Sequence, residues 1–158
     1  MAYALLKLLH LGSVVIWIGG MFFALFCLRP AAMNLPPPTR VPFMADALGR
    51  FFNIVLWLAL VAIGSGVAMM MLAAKATRQT GASLNMPLDW MVMAVLGLVM
   101  VAIFGHIRFA LYKRLQRAVT AQDWPAGGAA LGAIRTWVAV NLGLGALIIL
   151  VVLLGAVS

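Results

Sequence analysis

Four apolar runs, each long enough to cross a membrane, take up most of this chain. They cover residues 3–28, 51–74, 88–112 and 131–157. An α-helix needs roughly 20 residues to span a hydrocarbon core about 30 Å thick. The sequence therefore predicts an all-α integral membrane protein, an antiparallel four-helix transmembrane bundle in a single domain over residues 1–158. With 158 residues, 66% of them apolar, no room is left beside four spans for a soluble domain. The lipid bilayer is the first partner. Any function must be built between the helices or at the two membrane faces.

The net charge of +8 does not indicate nucleic acid. The basic residues sit at the ends of the apolar runs, where insertion energetics and anionic headgroups favour them. Arg29, Arg40 and Arg50 flank the first connection, and Arg108, Lys113, Arg114, Arg117 and Arg135 flank the third. Only Lys7, Lys75 and Arg78 lie on the other side. The positive-inside rule places the first and third connections in the cytoplasm. Both termini and the second connection then face outward, which in a bacterial inner membrane means the periplasm.

The connections are short. Pro36, Pro37 and Pro38 suggest an extended polyproline segment in the first. Asp123–Trp124–Pro125 with Gly127–Gly128 marks a turn in the third. Short links make successive helices antiparallel neighbours. The N-terminal run is longer than the apolar core of a cleavable signal and reads as a retained first span. The single cysteine, Cys27, excludes an intrachain disulfide and reads as a small packing residue. Small residues at helical spacing, such as Ala62 and Gly66 or Ala139 and Gly143, suit close helix approach. Trp90, Tyr112 and Trp137 lie near span ends, at the expected headgroup level.

Polar side chains inside spans are costly. Here they are Lys7, His10, Asn53, His106, Arg108 and Asn141. His10 lies roughly 10 Å inside the outer face, counted from Tyr3 at about 1.5 Å per residue. The same outer third holds Met69, Met70 and Met71 at the end of the second span and Met86, Met91 and Met93 at the start of the third. Imidazole with thioether suits Cu(I), and the same pair holds a haem iron axially. Equally, methionines fill gaps in apolar cores with no ligand role, and a buried histidine serves as a structural hydrogen-bond donor. Met69, Met70 and Met71 spread around the helix and do not all face inward. His106 lies about 17 Å from His10 along the membrane normal, too far for both to hold one haem. It groups instead with Asn53, Arg108 and Asn141 at the inner end, as an interfacial hydrogen-bond network or a second polar site. Lys7 snorkels to the outer headgroups or contacts a cofactor propionate.

The sequence contains no CxxC, P-loop, HExxH or GxSxG pattern and no paired carboxylates within a span. That points away from hydrolase and nucleotide chemistry, and away from transport on buried acids.

The first span reads Lys7–Leu8–Leu9–His10, Trp17, Gly19–Gly20–Met21–Phe22–Phe23 and Leu28–Arg29–Pro30. The third and its sequel read Leu96–Gly97–Leu98–Val99–Met100, Phe104–Gly105–His106 and Tyr112–Lys113–Arg114–Leu115, then Asp123–Trp124–Pro125 and Asn141–Leu142–Gly143–Leu144–Gly145. Together these resemble CopD-like membrane proteins over nearly the whole chain. The first span also resembles the HemJ type of protoporphyrinogen oxidase, in which a histidine at the place of His10 is tied to haem. That family opens its third span with a lysine that this chain lacks. CopD-like chains often carry a histidine there, where this chain has Asp89–Trp90–Met91–Val92–Met93.

The resemblance implies copper uptake or resistance, often beside a periplasmic copper carrier. It leaves three readings open. In the first, a metal, most concretely copper, is handled at the outer face, with His10 as anchor and Met70, Met91 and Met93 as soft partners. In the second, a small redox protein binds haem b through His10, with Met91 and Lys7 as further contacts, and any enzyme activity would be a haem-dependent oxidation. In the third, a cofactor-free accessory subunit packs against a larger membrane complex.

Overall fold

The computed structural model describes residues 1–79 and 88–155. Met86 and the last residues of the fourth apolar run lie outside them. Among the described residues there are four long helices: α1 (Ala2–Ala32), α2 (Pro37–Gln79), α3 (Leu88–Thr120) and α4 (Trp124–Gly155). At about 1.5 Å per residue they run roughly 46, 64, 50 and 48 Å. Each exceeds the depth of a hydrocarbon core, and α2 is about twice that depth. The helices are thus longer than the apolar runs that mark them. Most of the excess lies at the arginine-rich end, where α2 starts at Pro37 rather than Phe51 and α3 continues past Tyr112.

Contacts between α1 and α2 run in opposite order along the two helices. His10 meets Ala62 and Ser65, whereas Gly20 lies against Phe51. The same holds for α2 with α3, where Asn53 meets Arg108 and Ala45 meets Tyr112. It holds again for α3 with α4, where Asp89 lies by Gly155 and His106 by Trp137. The α1–α2 and α3–α4 pairs pack most extensively, and α1 and α3 meet through side chains while their backbones stay apart.

The triproline does not form an extended segment. Pro36 stands before α2, and Pro37 and Pro38 are its first residues. The first turn of a helix has no internal acceptors for its N–H groups, and proline's fixed φ suits it. The Pro36 carbonyl accepts from the N–H of Thr39 at 3.0 Å and of Arg40 at 2.9 Å. The third connection is a turn as the sequence indicates, but Gly127 and Gly128 belong to α4. Gln122 makes the reversal, with φ of 52°. The N–H of Asp123 reaches back to the carbonyl of Ala118 at 2.9 Å, and that of Gln122 to Val119 at 3.1 Å. This pair of bonds closes the last carbonyls of α3. Asp123 then caps α4, its Oδ1 accepting from the N–H of Ala126 at 3.0 Å.

The core is built on aromatic edge-to-face contacts. Phe104 meets Trp17 at 5.7 Å and Phe52 at 6.1 Å, and Phe52 meets Tyr112 at 5.5 Å. Such pairs contribute about 0.5–1.5 kcal/mol beyond area burial. Tyr112, near a span end, does not turn its ring out from the bundle. It is buried, and its hydroxyl donates to the carbonyl of Ala45 at 3.0 Å, because α2 and α3 remain packed beyond the apolar run. Gly49 lets that hydroxyl lie against the α2 backbone; a Cβ there would overlap it. Cys27 is exposed on α1 rather than packed. Two wide π-type turns interrupt the helices, at Ala24–Leu28 in α1 and Ile107–Leu111 in α3. Both lie toward the arginine-rich end.

Candidate functional site

Burial is uneven along the bundle. Ser65 on α2, Met100 on α3 and Gly145 on α4 are the last buried residues toward the arginine-poor end. His10 stands at that boundary, half-buried on α1. Its Nδ1 lies 2.9 Å from the carbonyl oxygen of Ala62 and 3.3 Å from Oγ of Ser65. A carbonyl only accepts, so Nδ1 carries the proton and donates. Ser65 gives its own hydrogen to the carbonyl of Val61 at 2.6 Å, which leaves an oxygen lone pair turned toward the imidazole. Gly66 completes the cradle, the ring edge standing 3.4 Å from where its Cβ would be.

This arrangement sets the chemistry of the ring. With Nδ1–H held by α2, the neutral imidazole carries its lone pair on Nε2, which makes no hydrogen bond among the described residues. Metal-ligating histidines are held in this way, with the second nitrogen donating to a carbonyl, carboxylate or water. The residues present thus suit a single imidazole ligand.

Met69 and Met70 come one turn after Ser65 and Gly66 along α2, on the stripe that faces α1, and both are half-buried. Met70 is therefore close to His10 along the bundle, about 6 Å further out from Gly66. Met71 is exposed. Met93 is half-buried and Met91 is 50% exposed, both on α3. Ile18 and Met100 both lie against Gly145. Counting outward from there, His10 and Met93 come to a similar depth, about 11–12 Å further out. They stand on helices whose backbones stay apart, and no contact joins them among the described residues. Lys7, one turn beyond His10, is exposed. Among the described residues no group of three or more His, Cys, Asp or Glu side chains converges.

The inner polar residues do not form one network. Arg108 donates from Nη2 to Oδ1 of Asn53 at 3.0 Å and lies over the Tyr112 ring at 5.3 Å. His106 faces outward and meets the Trp137 ring at 5.4 Å. Asn141 is 1% exposed on the core stripe of α4, with Ile134, Val138 and Gly145, and its Oδ1 has no partner among the described residues. Along α2, Asn53 is about 14 Å from the carbonyl that holds His10. One haem held by His10 and His106 together does not fit this separation.

Ser65 is not among the residues that sequence reasoning singles out. A lone hydroxyl in an apolar run was the available signal, and it is Ser65 that finishes the His10 cradle.

Residues 45–154 match the copper resistance protein D family. The chain belongs to that family. The match covers α3 and nearly all of α2 and α4. It leaves out α1, so His10 stands outside the matched residues while its partners Ala62, Ser65 and Gly66 lie within them. Membership in the CopD family relates this membrane protein to copper resistance. Comparisons with curated proteins and with solved structures return no match.

Proposed function

We propose that this CopD-family chain takes up Cu(I) in the arginine-poor half of the bundle and passes it to or through the membrane. The observation that carries the reading is the held ring of His10: Nδ1 bonded to Ala62 and Ser65, Nε2 left with its lone pair. Thioethers are the soft partners that Cu(I) prefers. Met70 is the nearest assigned one along α2, and Met93 and Met91 extend the row on α3. A site of one imidazole and few thioethers suits a cargo ion that must leave again.

Eight of the eleven basic residues flank the first and third connections. By the positive-inside rule those connections face the cytoplasm and both termini the periplasm of a bacterial inner membrane. The His10 end then faces the periplasm, within reach of a periplasmic copper carrier.

The test is a reduced-minus-oxidised visible spectrum of the purified protein, with metal analysis on the same sample. A featureless spectrum with copper bound is the expected result. A Soret and α-band change would replace copper handling by haem redox chemistry.

A further inference from the structure

At the arginine-rich end, the closing turns of α1 and the first turns of α2 and α4 enclose a groove of about 180 Å³. Arg29, Arg40 and Arg135 all line it, and no carboxylate does. Arg29 and Arg40 are half-buried. The contact seen for these three guanidinium groups is from Nη1 of Arg40 to the sulfur of Met33 at 3.9 Å, and a thioether is a weak acceptor.

The chain's three acids are engaged elsewhere. Asp46 pairs with Arg50 at 3.1 Å, Asp123 caps α4, and Asp89 lies at the opposite end beside Gly155. Three guanidinium groups therefore line one groove with no acidic partner, and an anion entering it would meet positive charges beside apolar walls. Arg108 shows the contrast: it lies on the same half of the bundle but has Asn53 and an aromatic ring as partners.

The floor of the groove is apolar, with Leu25, Leu48, Leu131 and Val138. The fold explains the opening. α1 ends at Ala32 where α2 and α4 begin side by side, with Gly127 against Val41, and the wide turn Ala24–Leu28 borders the gap. A π-type turn inserts one residue, which rotates the next part of the helix by about 100°. Arg29 is the first residue after it. The volume is below the roughly 300 Å³ of a drug-sized pocket, and suits a headgroup whose chains lie outside along the bundle.

We propose that this groove holds the phosphate headgroup of one anionic phospholipid, with Arg29, Arg40 and Arg135 as its counter-charges and the leucine floor beneath its glycerol and first methylenes. Guanidinium forks match phosphate oxygens in pairs. Basic pockets between membrane helices take anionic headgroups by the same chemistry. This site is independent of the copper reading.

The test is native mass spectrometry of the full-length protein in mild detergent, with phosphatidylglycerol, phosphatidylcholine or inorganic phosphate added. The groove variant is R29Q/R40Q/R135Q. The control, K113Q/R114Q/R117Q, removes the same charge from the exposed face of α3. The wild type should retain one phosphatidylglycerol in preference to phosphatidylcholine. The groove variant should weaken retention about a hundredfold, from roughly fivefold per arginine, and the control should leave it nearly unchanged. Should the triple variant fail to fold, R135Q alone still tests the site, since Arg135 is exposed. Retention that survives the groove substitutions, or falls equally in the control, overturns the proposal. So does a groove that binds inorganic phosphate and no lipid.

Discussion

Nδ1 of His10 lies 2.9 Å from the carbonyl oxygen of Ala62, and that contact across two helices decides how the ring is presented. Hydrogen bonds between membrane helices contribute about 0.6 kcal/mol on average. His10→Ala should therefore lower the stability of the bundle only slightly. Its effect on copper should be far larger. A melting temperature that drops by many degrees with no change in copper retention would make His10 a structural residue alone.

Gly49 and Tyr112 are coupled by contact. A Cβ at position 49 would overlap the Tyr112 hydroxyl, which is fixed by its bond to Ala45. Gly49→Ala should cost about 1–3 kcal/mol, the usual range for overpacking a core. Removing the hydroxyl should relieve the clash, so G49A/Y112F should be more stable than the sum of the two single changes implies. Thermal unfolding in detergent across the four proteins checks this; strict additivity would contradict it.

Asn141 buries an oxygen that no donor among the described residues reaches. Replacing an unsatisfied polar group by an apolar one of similar shape is nearly neutral or stabilising. Asn141→Leu should keep or raise the melting temperature and leave copper binding at His10 intact. A loss of stability would mean that the amide has a partner, such as an ordered water, that makes it structural.

Gln122 adopts a left-handed conformation at the end of α3. That conformation costs a residue with a Cβ about 1–2 kcal/mol, a penalty that glycine lacks. Gln122→Gly should raise stability by up to about that amount. A fall in melting temperature would show that the Gln122 side chain offsets the strain.

The orientation is open to a labelling experiment. With Cys27 changed to serine, a cysteine at position 114 should resist a membrane-impermeant maleimide in intact cells and react after lysis. Labelling in intact cells would reverse the topology.

The four spans were legible because each is an unbroken apolar run of membrane-crossing length, a signal that no packing detail overrides. The extensions of α2 and α3 were not. Residues 37–50 and 113–120 mix charge with apolar positions, and they are helical because they pack against α4 and one another beyond the apolar runs. The same packing buries Tyr112 between α2 and α3. The sequence marked His10 as a polar residue at depth, but its partner is a backbone carbonyl, which has no sequence signature. Asn53, His106, Arg108 and Asn141 share a half of the bundle and differ in face. Sequence spacing within one helix cannot relate the faces of different helices, so grouping by depth brings together Asn53 and Arg108 but not His106 or Asn141.

The central claim is that His10 anchors Cu(I). The most direct measurement is anaerobic competition between the full-length protein and a chromogenic Cu(I) chelator, for the wild type and His10→Ala. The wild type should take about one Cu(I) per chain, and His10→Ala should bind it at least about tenfold more weakly. Equal affinity in the two proteins, or no copper taken by either, would contradict the account.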